Sequence, residues 1–392
     1  MSSRPLIRLK PGQDRRLKSG HPWAFSNEIA TKPEYRTLPP GGVVRLEGDD
    51  GTKFGAFAFH PHSLFAARFL DRDPDAVIDA AWMAQRIGAA ADLRDRLGLG
   101  AYCRLVHAEA DGLPGLIVDR YGDAIAVQAN TAAMDRLLPE IAAALTARFA
   151  PRLLVARNDA DARAAEGLPQ EVTLLHGADA AATVEEGGVT FPVDLRAGQK
   201  TGFFFDQRAN RDRIAALAPG ARVLDVFCHT GAFGLRCAKM GAEAVTLVDA
   251  SAPALALAQQ AADRNGLSIA SRRGDAFDVL AALAAEGARF DIVICDPPAF
   301  IKRRQDHAAG LRGYGRVARL AAPLVAPGGF LFAASCSHHA APAEFAGQVA
   351  WGLSRARRDA RIVWSGGAAP DHPVHPHLPE SAYLKAVLAA VS

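Results

Sequence analysis

Acidic residues stand at the ends of apolar, strand-like segments in the second half of this 392-residue chain. Asp225 lies at the end of Arg222-Val-Leu-Asp-Val226, and Asp249 ends the next such segment, Val245-Thr-Leu-Val-Asp249. Successive strands of a parallel sheet end at the same edge, so the two carboxylates should lie close together. One can accept hydrogen bonds from the ammonium of an amino acid, and the other from ribose hydroxyls. The pattern therefore predicts a ligand that carries both groups.

The turn after the first segment lacks the glycine pattern of a dinucleotide site. A pyrophosphate needs G-x-G-x-x-G, because the backbone must approach the phosphates at the N-terminus of the following helix. This turn carries Gly231 and Gly234, which suit a ligand with a cationic end and no phosphate. S-adenosylmethionine meets both conditions, since it joins an amino acid to a nucleoside.

Three further strand-like segments end in residues that can take part in chemistry. In chain order these residues are Asp275, Asp296 and Cys336, and Ala/Leu-rich, helix-like stretches lie between the segments. A doubly wound sheet binds ligands outside the carboxyl ends of its strands. We therefore expect the three residues to converge on the ligand site.

These segments resemble the class I methyltransferases, and among them the ribosomal RNA large-subunit methyltransferase I family, which makes 5-methylcytosine. The resemblance covers nearly the whole chain. Further segments that carry it are His21-Pro-Trp-Ala-Phe-Ser26, Gly198 to Arg211, Asp371-His-Pro, Leu378-Pro-Glu and Tyr383-Leu-Lys385. It implies an α/β fold: a Rossmann-like, mostly parallel, doubly wound sheet, preceded by a small β-barrel PUA domain and an α+β middle domain.

Turn and linker residues along the chain predict three domains, at residues 1–72, 73–183 and 184–392. Residues 1–72 alternate turns with short strand-like runs at 41–47, 51–59 and 64–68, which indicates a small barrel; in the resembled family it is a PUA domain, which binds RNA. In the middle domain, Ala80 to Leu97 predicts a helix that Gly98 ends, followed by a hairpin around 111–115. From Val184 onward, alternating strand and helix patterns predict the parallel sheet.

The resemblance also implies which residues contact the cofactor, S-adenosylmethionine. Asp225 would lie near the amino end of the methionine moiety, Asp249 on the ribose hydroxyls, and Asp275 with Ala276 beside the adenine. The other positions that it implies are Phe205, Asp206, Gln207, Arg208, Phe227, Gly231, Ser251, Asp296 and Pro297. Arg208 suits the methionine carboxylate, because a planar guanidinium matches a carboxylate; a salt bridge to Asp206 is the alternative.

Methylation at carbon 5 of cytosine needs covalent assistance, because the aromatic ring is a poor nucleophile. A thiolate that adds to carbon 6 turns the ring into an enamine, whose carbon 5 then attacks the methyl group. Cys336 fits the thiolate, and Asp296 fits the group that hydrogen-bonds the ring as charge builds. Of the other cysteines, Cys103, Cys237 and Cys295 are expected in the core, and Cys228 beside the cofactor.

Other interpretations stay open. Asp296-Pro-Pro-Ala-Phe300 also resembles loops that accept hydrogen bonds from an exocyclic amine, so methylation of a base nitrogen is an alternative that needs no cysteine. The chain departs from the family pattern at Ala299 and at Cys228-His229. A catalytically inactive RNA-binding protein, or methylation of a protein or small molecule, is a further possibility. Phe300 or Tyr314 is a candidate to pack against a flipped base.

The distribution of charge is more informative than the net charge of +3. Six basic residues lie within the first 22 residues, and six more lie between Lys302 and Arg319. The second group follows the Asp296 segment directly, at a position where phosphate contacts would place a polyanion. With the resemblance described above, this implies ribosomal RNA of the large subunit as the partner.

Composition excludes several other classes of protein. The five cysteines form no C-x-x-C pair and the histidines no HExxH motif, so neither a disulfide framework nor a metal site is expected. The sequence contains no apolar run of 18 residues and no signal-peptide pattern at Met1. We therefore expect a cytoplasmic protein without a membrane span; a homodimer is compatible with the resemblance.

Overall fold

The structure, a computed structural model, describes residues 4–196 and 202–392. The chain divides into two compact units. The first contains the described residues of Met1–Ala182, Val193–Phe205 and Pro370–Ser381, and the second contains Thr183–Pro192, Asp206–Ala369 and Ala382–Ser392. The family-like segment at Gly198 to Arg211 lies partly outside the described residues. The predicted domain boundaries after residues 72 and 183 stay predictions.

The first unit begins with a five-stranded sheet. Its elements are β1 (Leu6–Arg8), α1 (Arg15–Lys18), β2 (Trp23–Ala24), β3 (Gly42–Glu47), β4 (Lys53–Phe59) and β5 (Ala67–Asp71). The strand order is β1-β3-β4-β5-β2, and only the β1–β3 pair is parallel. The strands predicted at 41–47 and 51–59 are confirmed. The third begins later than predicted, because His60 N–H donates to the Ala66 carbonyl and closes a turn across Leu64.

A second five-stranded sheet belongs to the same unit. Its elements are α2 (Ala80–Arg96), β6 (Tyr102–His107), β7 (Leu116–Tyr121), β8 (Ala124–Ala129), α3 (Ala132–Arg136), α4 (Leu138–Phe149), β9 (Leu153–Asn158) and β10 (Glu171–His176). The order is β10-β9-β8-β7-β6, with only β8 and β9 parallel. The predicted helix and hairpin are both confirmed. Asp79 caps the helix through Trp82 N–H, and Gly98 follows it with a left-handed φ of 68°.

The parallel sheet begins later than the sequence predicts. Strands β11 (Ala181–Glu186) and β12 (Val189–Asp194) form a separate two-stranded hairpin. Gly187 and Gly188, with φ of 54° and 75°, form its turn, because a tight hairpin turn of this kind needs two residues in the left-handed region. The strand pattern at Val184 is therefore correct, but its assignment to the parallel sheet is wrong.

The second unit contains a seven-stranded sheet flanked by helices. Its elements are α5 (Arg208–Ala215), β13 (Arg222–Val226), α6 (Ala232–Lys239), β14 (Ala244–Asp249), α7 (Ala252–Arg264), β15 (Ala270–Arg273), α8 (Ala276–Ala285), β16 (Phe290–Cys295), α9 (His307–Ala321), β17 (Val325–Ser335), α10 (Pro342–Arg355), β18 (Ala360–Gly366) and β19 (Lys385–Val391). The order is β15-β14-β13-β16-β17-β19-β18; the first five strands are parallel, and β19 is antiparallel to both its neighbours. The predicted mostly parallel, doubly wound sheet is confirmed.

Apolar side chains on both faces of this sheet form its core. Leu224 and Val226 of β13 pack on one face with α8 and α9, whereas Val223 packs on the other face with α5 and α6. A sheet covered on both faces has near-continuous apolar strands, which is the pattern that the sequence shows. Within the described part of the chain, every helix is too short or too polar to cross a lipid bilayer.

A buried carboxylate anchors the hairpin within the second unit. Glu186, at the end of β11, accepts hydrogen bonds from Arg208 at 3.2 Å, Arg211 at 2.5 Å and Arg236 at 3.1 Å. Burial acts to raise the pKa of Glu186, but the charge and hydrogen bonds of Arg211, with the charges of Arg208 and Arg236, hold it below its usual range. The buried carboxylate stays ionised because the positive charges of the arginines compensate its negative charge.

We predict that Glu186→Gln destabilises the second unit by about 3–5 kcal/mol, because it leaves the buried Arg211 guanidinium without its hydrogen-bonded counter-ion. Because its folded pKa is depressed, Glu186 stabilises the fold above its unfolded pKa of about 4.3, and this contribution fades as the pH falls below that value. Urea denaturation measures both effects. The matched control is Glu185→Gln, which removes the exposed neighbouring carboxylate and should cost little; equal losses in the two variants would contradict the prediction.

Candidate active site

Three carboxylates meet at the crevice where the strand order of the large sheet reverses. Strand β13 pairs with β14 on one side and with β16 on the other, and all three are parallel. Asp225 lies next to the last residue of β13, Asp249 ends β14, and Asp296 follows β16. Ligands of doubly wound sheets bind at this place. The predicted convergence of these strand ends is present in the structure.

Asp225 is the most deeply buried of the three carboxylates. Gly234 N–H donates to its Oδ2 at 2.9 Å. Burial, together with the negative charges of Asp296 and Asp249, raises the pKa of Asp225 to about 7. A cation beside this carboxylate would lower its pKa again, because an opposite charge favours the ionised form. The site therefore suits the ammonium end of a ligand.

Asp249 is held rigidly by its neighbours. His229 N–H donates to its Oδ2 and Ser251 N–H to its Oδ1, each at 2.8 Å. Ser251 in turn caps α7 by accepting from Ala254 N–H. Each carboxylate oxygen has more than one lone pair, so both can still accept hydroxyl groups. This arrangement suits the ribose role that the sequence predicts for Asp249.

The loop between β13 and α6 has a strained backbone. Phe227 and His229 have left-handed φ values of 62° and 51°, conformations that cost of order 1–3 kcal/mol each in residues other than glycine. Gly231 and Gly234 also have a packing role that the sequence did not indicate. A Cβ at either position would lie 2.8 Å or 2.4 Å from the Leu247 side chain, so these glycines allow α6 to pack closely on β14.

Asp275 and Ala276 stand at the start of α8. The Asp275 side chain caps this helix by accepting from Phe277 N–H at 2.9 Å and from Asp278 N–H at 3.4 Å. Asp275 is exposed and Ala276 is buried. The cap fixes the end of the loop beside which the adenine is predicted to bind.

Asp296 is oriented by a relay of two amide side chains. Gln207 Nε2 donates to Asp296 Oδ2 at 2.9 Å, and Asn210 Nδ2 donates to Gln207 Oε1. Gln207 and Asn210 are buried, and Pro297, directly after Asp296, is buried as well. Sequence reasoning included Gln207 but missed Asn210, although both belong to the segment before the first parallel strand.

The predicted segment from Phe205 to Arg208 makes several other contacts. In the first unit, Phe205 is buried against the rings of Tyr121 and Phe203, with centroids 5.3 Å and 5.4 Å away. In the second unit, Tyr383 Oη donates to Asp206 Oδ2 at 2.5 Å. Arg208 forms its ion pair with Glu186, a partner that the sequence did not suggest.

Two hydrogen-bonded side chains join the loop after β16 to the loop after β17. Ser337 Oγ lies 2.6 Å from Tyr314 Oη and accepts from Ile301 N–H at 3.1 Å, while Phe300 N–H donates to Tyr314 Oη at 3.3 Å. Tyr314 is buried, so it does not offer a free face to a flipped base. Its aromatic ring packs instead on Phe300, 4.8 Å away.

Cys336 lies between Ser335 and Ser337 and is the one partly exposed cysteine; the other four are buried. Burial raises the pKa of Cys237 to about 12 and also raises the pKa of Cys228 and Cys295. Such thiols are poor nucleophiles at neutral pH. Among the described residues, no three His, Cys, Asp or Glu side chains are grouped to hold a metal ion.

Lys385 is a charged residue of this region whose role the sequence did not reveal. It begins β19, is buried, and donates from Nζ to the carbonyls of Ser337 and of Tyr383, the latter at 2.9 Å. In the sequence, Lys385 stands out only as part of the family-like segment Tyr383-Leu-Lys385. No local sequence pattern marks it, because its burial depends on the pairing of β19 with β17.

Comparison with known proteins gives concordant matches. Residues 7–72 match the model of a PUA-like domain, and residues 123–389 match that of an S-adenosylmethionine-dependent methyltransferase. A curated relative from Shewanella denitrificans is 37% identical over 98% of this chain and 99% of its own length, and one from Aeromonas salmonicida is 35% identical over 98% of each. Both are named ribosomal RNA large subunit methyltransferase I.

Solved structures show the same fold. A SAM-dependent methyltransferase from Streptococcus mutans superposes with a TM-score of 0.81 at 21% identity, covering 98% of this chain and 100% of its own. A second methyltransferase structure, complexed with SAH, gives 0.82 at 21% identity over 98% and 99% of the two chains.

We predict that the affinity for S-adenosylmethionine falls as the pH drops below about 7. If the ligand's ammonium binds the Asp225 carboxylate, which takes up a proton in this range, each further pH unit weakens binding by up to about tenfold. In Asp225→Asn the dissociation constant should be higher at pH 8 and should lose this pH dependence. Calorimetry measures both; the control is Asp263→Asn, an exposed site on α7, and an unchanged pH profile in Asp225→Asn would refute the assignment.

We predict a strong coupling between Tyr314 and Ser337. Tyr314→Phe and Ser337→Ala should each destabilise the second unit by about 1–3 kcal/mol, because each leaves buried polar groups unsatisfied. In the double variant the loss should be smaller than the sum of the two, which urea denaturation of all four proteins measures. Simple additivity would show that the hydrogen bond does not join the loops.

Proposed function

Because the chain belongs to the family of S-adenosylmethionine-dependent methyltransferases, we propose that it methylates ribosomal RNA of the large subunit at carbon 5 of a cytosine. The names of the full-length curated relatives support the RNA substrate. The observation that carries the choice of atom is Cys336, a partly exposed thiol at the carboxyl end of β17. A protein that methylates a base nitrogen has no use for a nucleophile there.

The reaction follows from the chemistry of the pyrimidine ring. The Cys336 thiolate adds to carbon 6, and the electron pair of the 5,6 double bond is released into the ring. Asp296, oriented by Gln207, lies against the ring where negative charge builds, and in its protonated form donates a hydrogen bond there. Carbon 5 then takes the methyl group from the sulfonium, whose sulfur keeps the bonding electrons. Loss of the carbon-5 proton to a base and expulsion of the thiolate restore the aromatic ring.

S-adenosylmethionine supplies the methyl group in this reaction. Asp225 would hold its ammonium and Asp249 its ribose hydroxyls, while Asp275 and Ala276 would lie beside the adenine. The buried Asp225 carboxylate and the fixed Asp249 carboxylate support this placement. Phe227, Gly231, Ser251 and Pro297 would line the same site.

An exposed basic surface supports RNA as the substrate. Its members lie in and just before α9 and are all exposed: Lys302, Arg303, Arg304, Arg312, Arg316 and Arg319. Among the residues that the structure describes, none of the six forms an ion pair. The N-terminal basic group differs, since Arg16 pairs with Glu28 and Lys18 with Asp14. Unpaired cations close to the Asp296 loop are available for phosphate contacts that position the RNA.

The PUA-like segment is proposed as a second RNA contact, which holds the substrate while the second unit acts on the base. The cell compartment proposed for this activity is the cytoplasm. A homodimer also stays a prediction.

We predict that methyl groups from labelled S-adenosylmethionine enter large-subunit rRNA, taken from cells that lack this protein, as 5-methylcytosine. Cys336→Ala should lower the rate by more than about a thousandfold, because it removes the nucleophile, whereas Cys103→Ala, which changes a buried thiol, should retain activity. Nucleoside mass spectrometry identifies the product. Label in another nucleoside, or label that persists without Cys336, would favour nitrogen methylation; absence of label would favour a binding protein or a substrate other than RNA.

The covalent step has a direct test. RNA that carries 5-fluorocytosine should trap the protein after methyl transfer, because fluorine cannot leave carbon 5 as a proton does. The trapped complex should resist denaturant and should not form with Cys336→Ala. A complex that forms equally well with Cys336→Ala would exclude this cysteine as the nucleophile.

A further inference from the structure

The start of β19 brings a buried ammonium to the loop that carries Cys336. Lys385 is the register partner of Ser335, the residue directly before Cys336, because β19 pairs with β17 in antiparallel fashion. The side chain is buried, and Nζ donates to the carbonyl of Ser337, the residue directly after Cys336. Lys385 therefore contacts the backbone on both sides of the cysteine.

The hydrogen bonds of Lys385 account for only part of its bonding capacity. An ammonium has three N–H donors, and two of them are directed to the carbonyls of Ser337 and Tyr383. Both acceptors are neutral, so neither compensates the positive charge. A buried charge without an opposite charge nearby is costly, and proteins retain such groups mainly where they have a function.

Lys385 interacts electrostatically with Cys336. Burial lowers the pKa of Lys385 to about 8, and a thiolate at Cys336 acts in the opposite direction, to raise it. Interactions between titrating groups are mutual, so an ammonium at Lys385 favours the thiolate to the same extent. Lysine and cysteine then titrate as a coupled pair.

We propose that Lys385 is the positioning residue of the Cys336 nucleophile: its buried ammonium holds the sulfur as a thiolate and fixes the loop that carries it. This proposal rests on the function proposed above, in which Cys336 attacks carbon 6. The proton balance is simple: Lys385 already carries its three protons as an ammonium, so the proton that leaves the partly exposed Cys336 sulfur passes to solvent water. The electron pair that it leaves on sulfur forms the bond to carbon 6.

Other titratable groups lie on the elements that flank this pair. His338, directly after the loop, is exposed and packs its ring on Tyr383, 5.3 Å between centroids. Tyr383 Oη donates to Asp206. Asp296 follows β16, the strand next to β17, and its negative charge acts on Asp225 and Cys295. Lys385 is a buried cation in direct contact with the loop, so we assign the stabilisation of the sulfur to it and not to the exposed imidazole.

The reaction of Cys336 with iodoacetamide, followed against pH by peptide mass spectrometry, tests this proposal without any methyl transfer. In the unmodified chain the midpoint should lie below the ordinary thiol value of about 8.5, and Lys385→Met should raise it by about one unit or more. Methionine keeps the length and apolar stem of lysine while removing its charge. Lys385→Arg, which keeps the charge, should retain the low midpoint.

Controls separate charge from folding. Lys239→Met removes an exposed lysine of the same unit and should leave the midpoint unchanged. Unaltered affinity for S-adenosylmethionine would report that each variant is folded. In addition, methyl transfer by Lys385→Met should fall at neutral pH and recover as the pH rises and the thiolate forms without help, a recovery that a purely structural role would not produce.

An unchanged midpoint in Lys385→Met would overturn the proposal, as would equal shifts in folded Lys385→Met and Lys385→Arg. These outcomes are separable from failure of the proposed function. If the midpoint of the iodoacetamide reaction depends on Lys385 but no 5-methylcytosine forms, the Lys385–Cys336 pair stands and the proposed reaction is refuted. If 5-methylcytosine forms through Cys336 but the midpoint of the iodoacetamide reaction does not depend on Lys385, the proposed reaction stands and the Lys385–Cys336 pair is refuted.

Discussion

Parallel pairing of β13 with both β14 and β16 places the ends of three strands side by side, and a carboxylate stands at or just after each end. Like charges at this distance repel, and burial adds to the penalty, which is why the pKa of Asp225 rises to about 7. A ligand with a cationic end relieves this strain on binding. If the ammonium of the cofactor binds beside Asp225, as proposed above, the electrostatic energy stored in the crevice is recovered on binding, as a preorganised site allows.

The same balance of buried charges recurs on both sides of the site. Glu186 is surrounded by guanidinium groups and ties the hairpin before α5 to the helices. Lys385 places a positive charge beside Cys336, just after the carboxyl end of β17. In the first case the opposite charge is always present, so the cluster is structural. In the second case, the opposite charge is present only when the Cys336 thiol is ionised, which makes the pair responsive to pH and suited to chemistry.

Elements with strong local signals were predictable from the sequence. The helix α2 has both a capping aspartate, Asp79, and a terminal glycine, and the parallel strands have unbroken apolar runs ended by acids. The prediction was wrong where local pattern and long-range pairing disagree. Val184 lies in a genuine strand, but Gly187 and Gly188 turn it back on itself, so that it forms a hairpin and never joins the large sheet. Likewise, Tyr314 was predicted as a base-stacking candidate, and its burial against Phe300 became evident only from packing.

The sequence by itself determined the strand ends, and with them the acids and the cysteine available for chemistry, because these lie next to apolar runs whose period is local. It also carried enough family resemblance to name the cofactor. Only the tertiary structure decided which groups meet. Asn210 orients Asp296 through Gln207, and Lys385 reaches the Cys336 loop from a strand about fifty residues further along the chain. Such contacts depend on strand order and register, which no local pattern encodes, since a buried lysine and an exposed one are the same letter in the sequence.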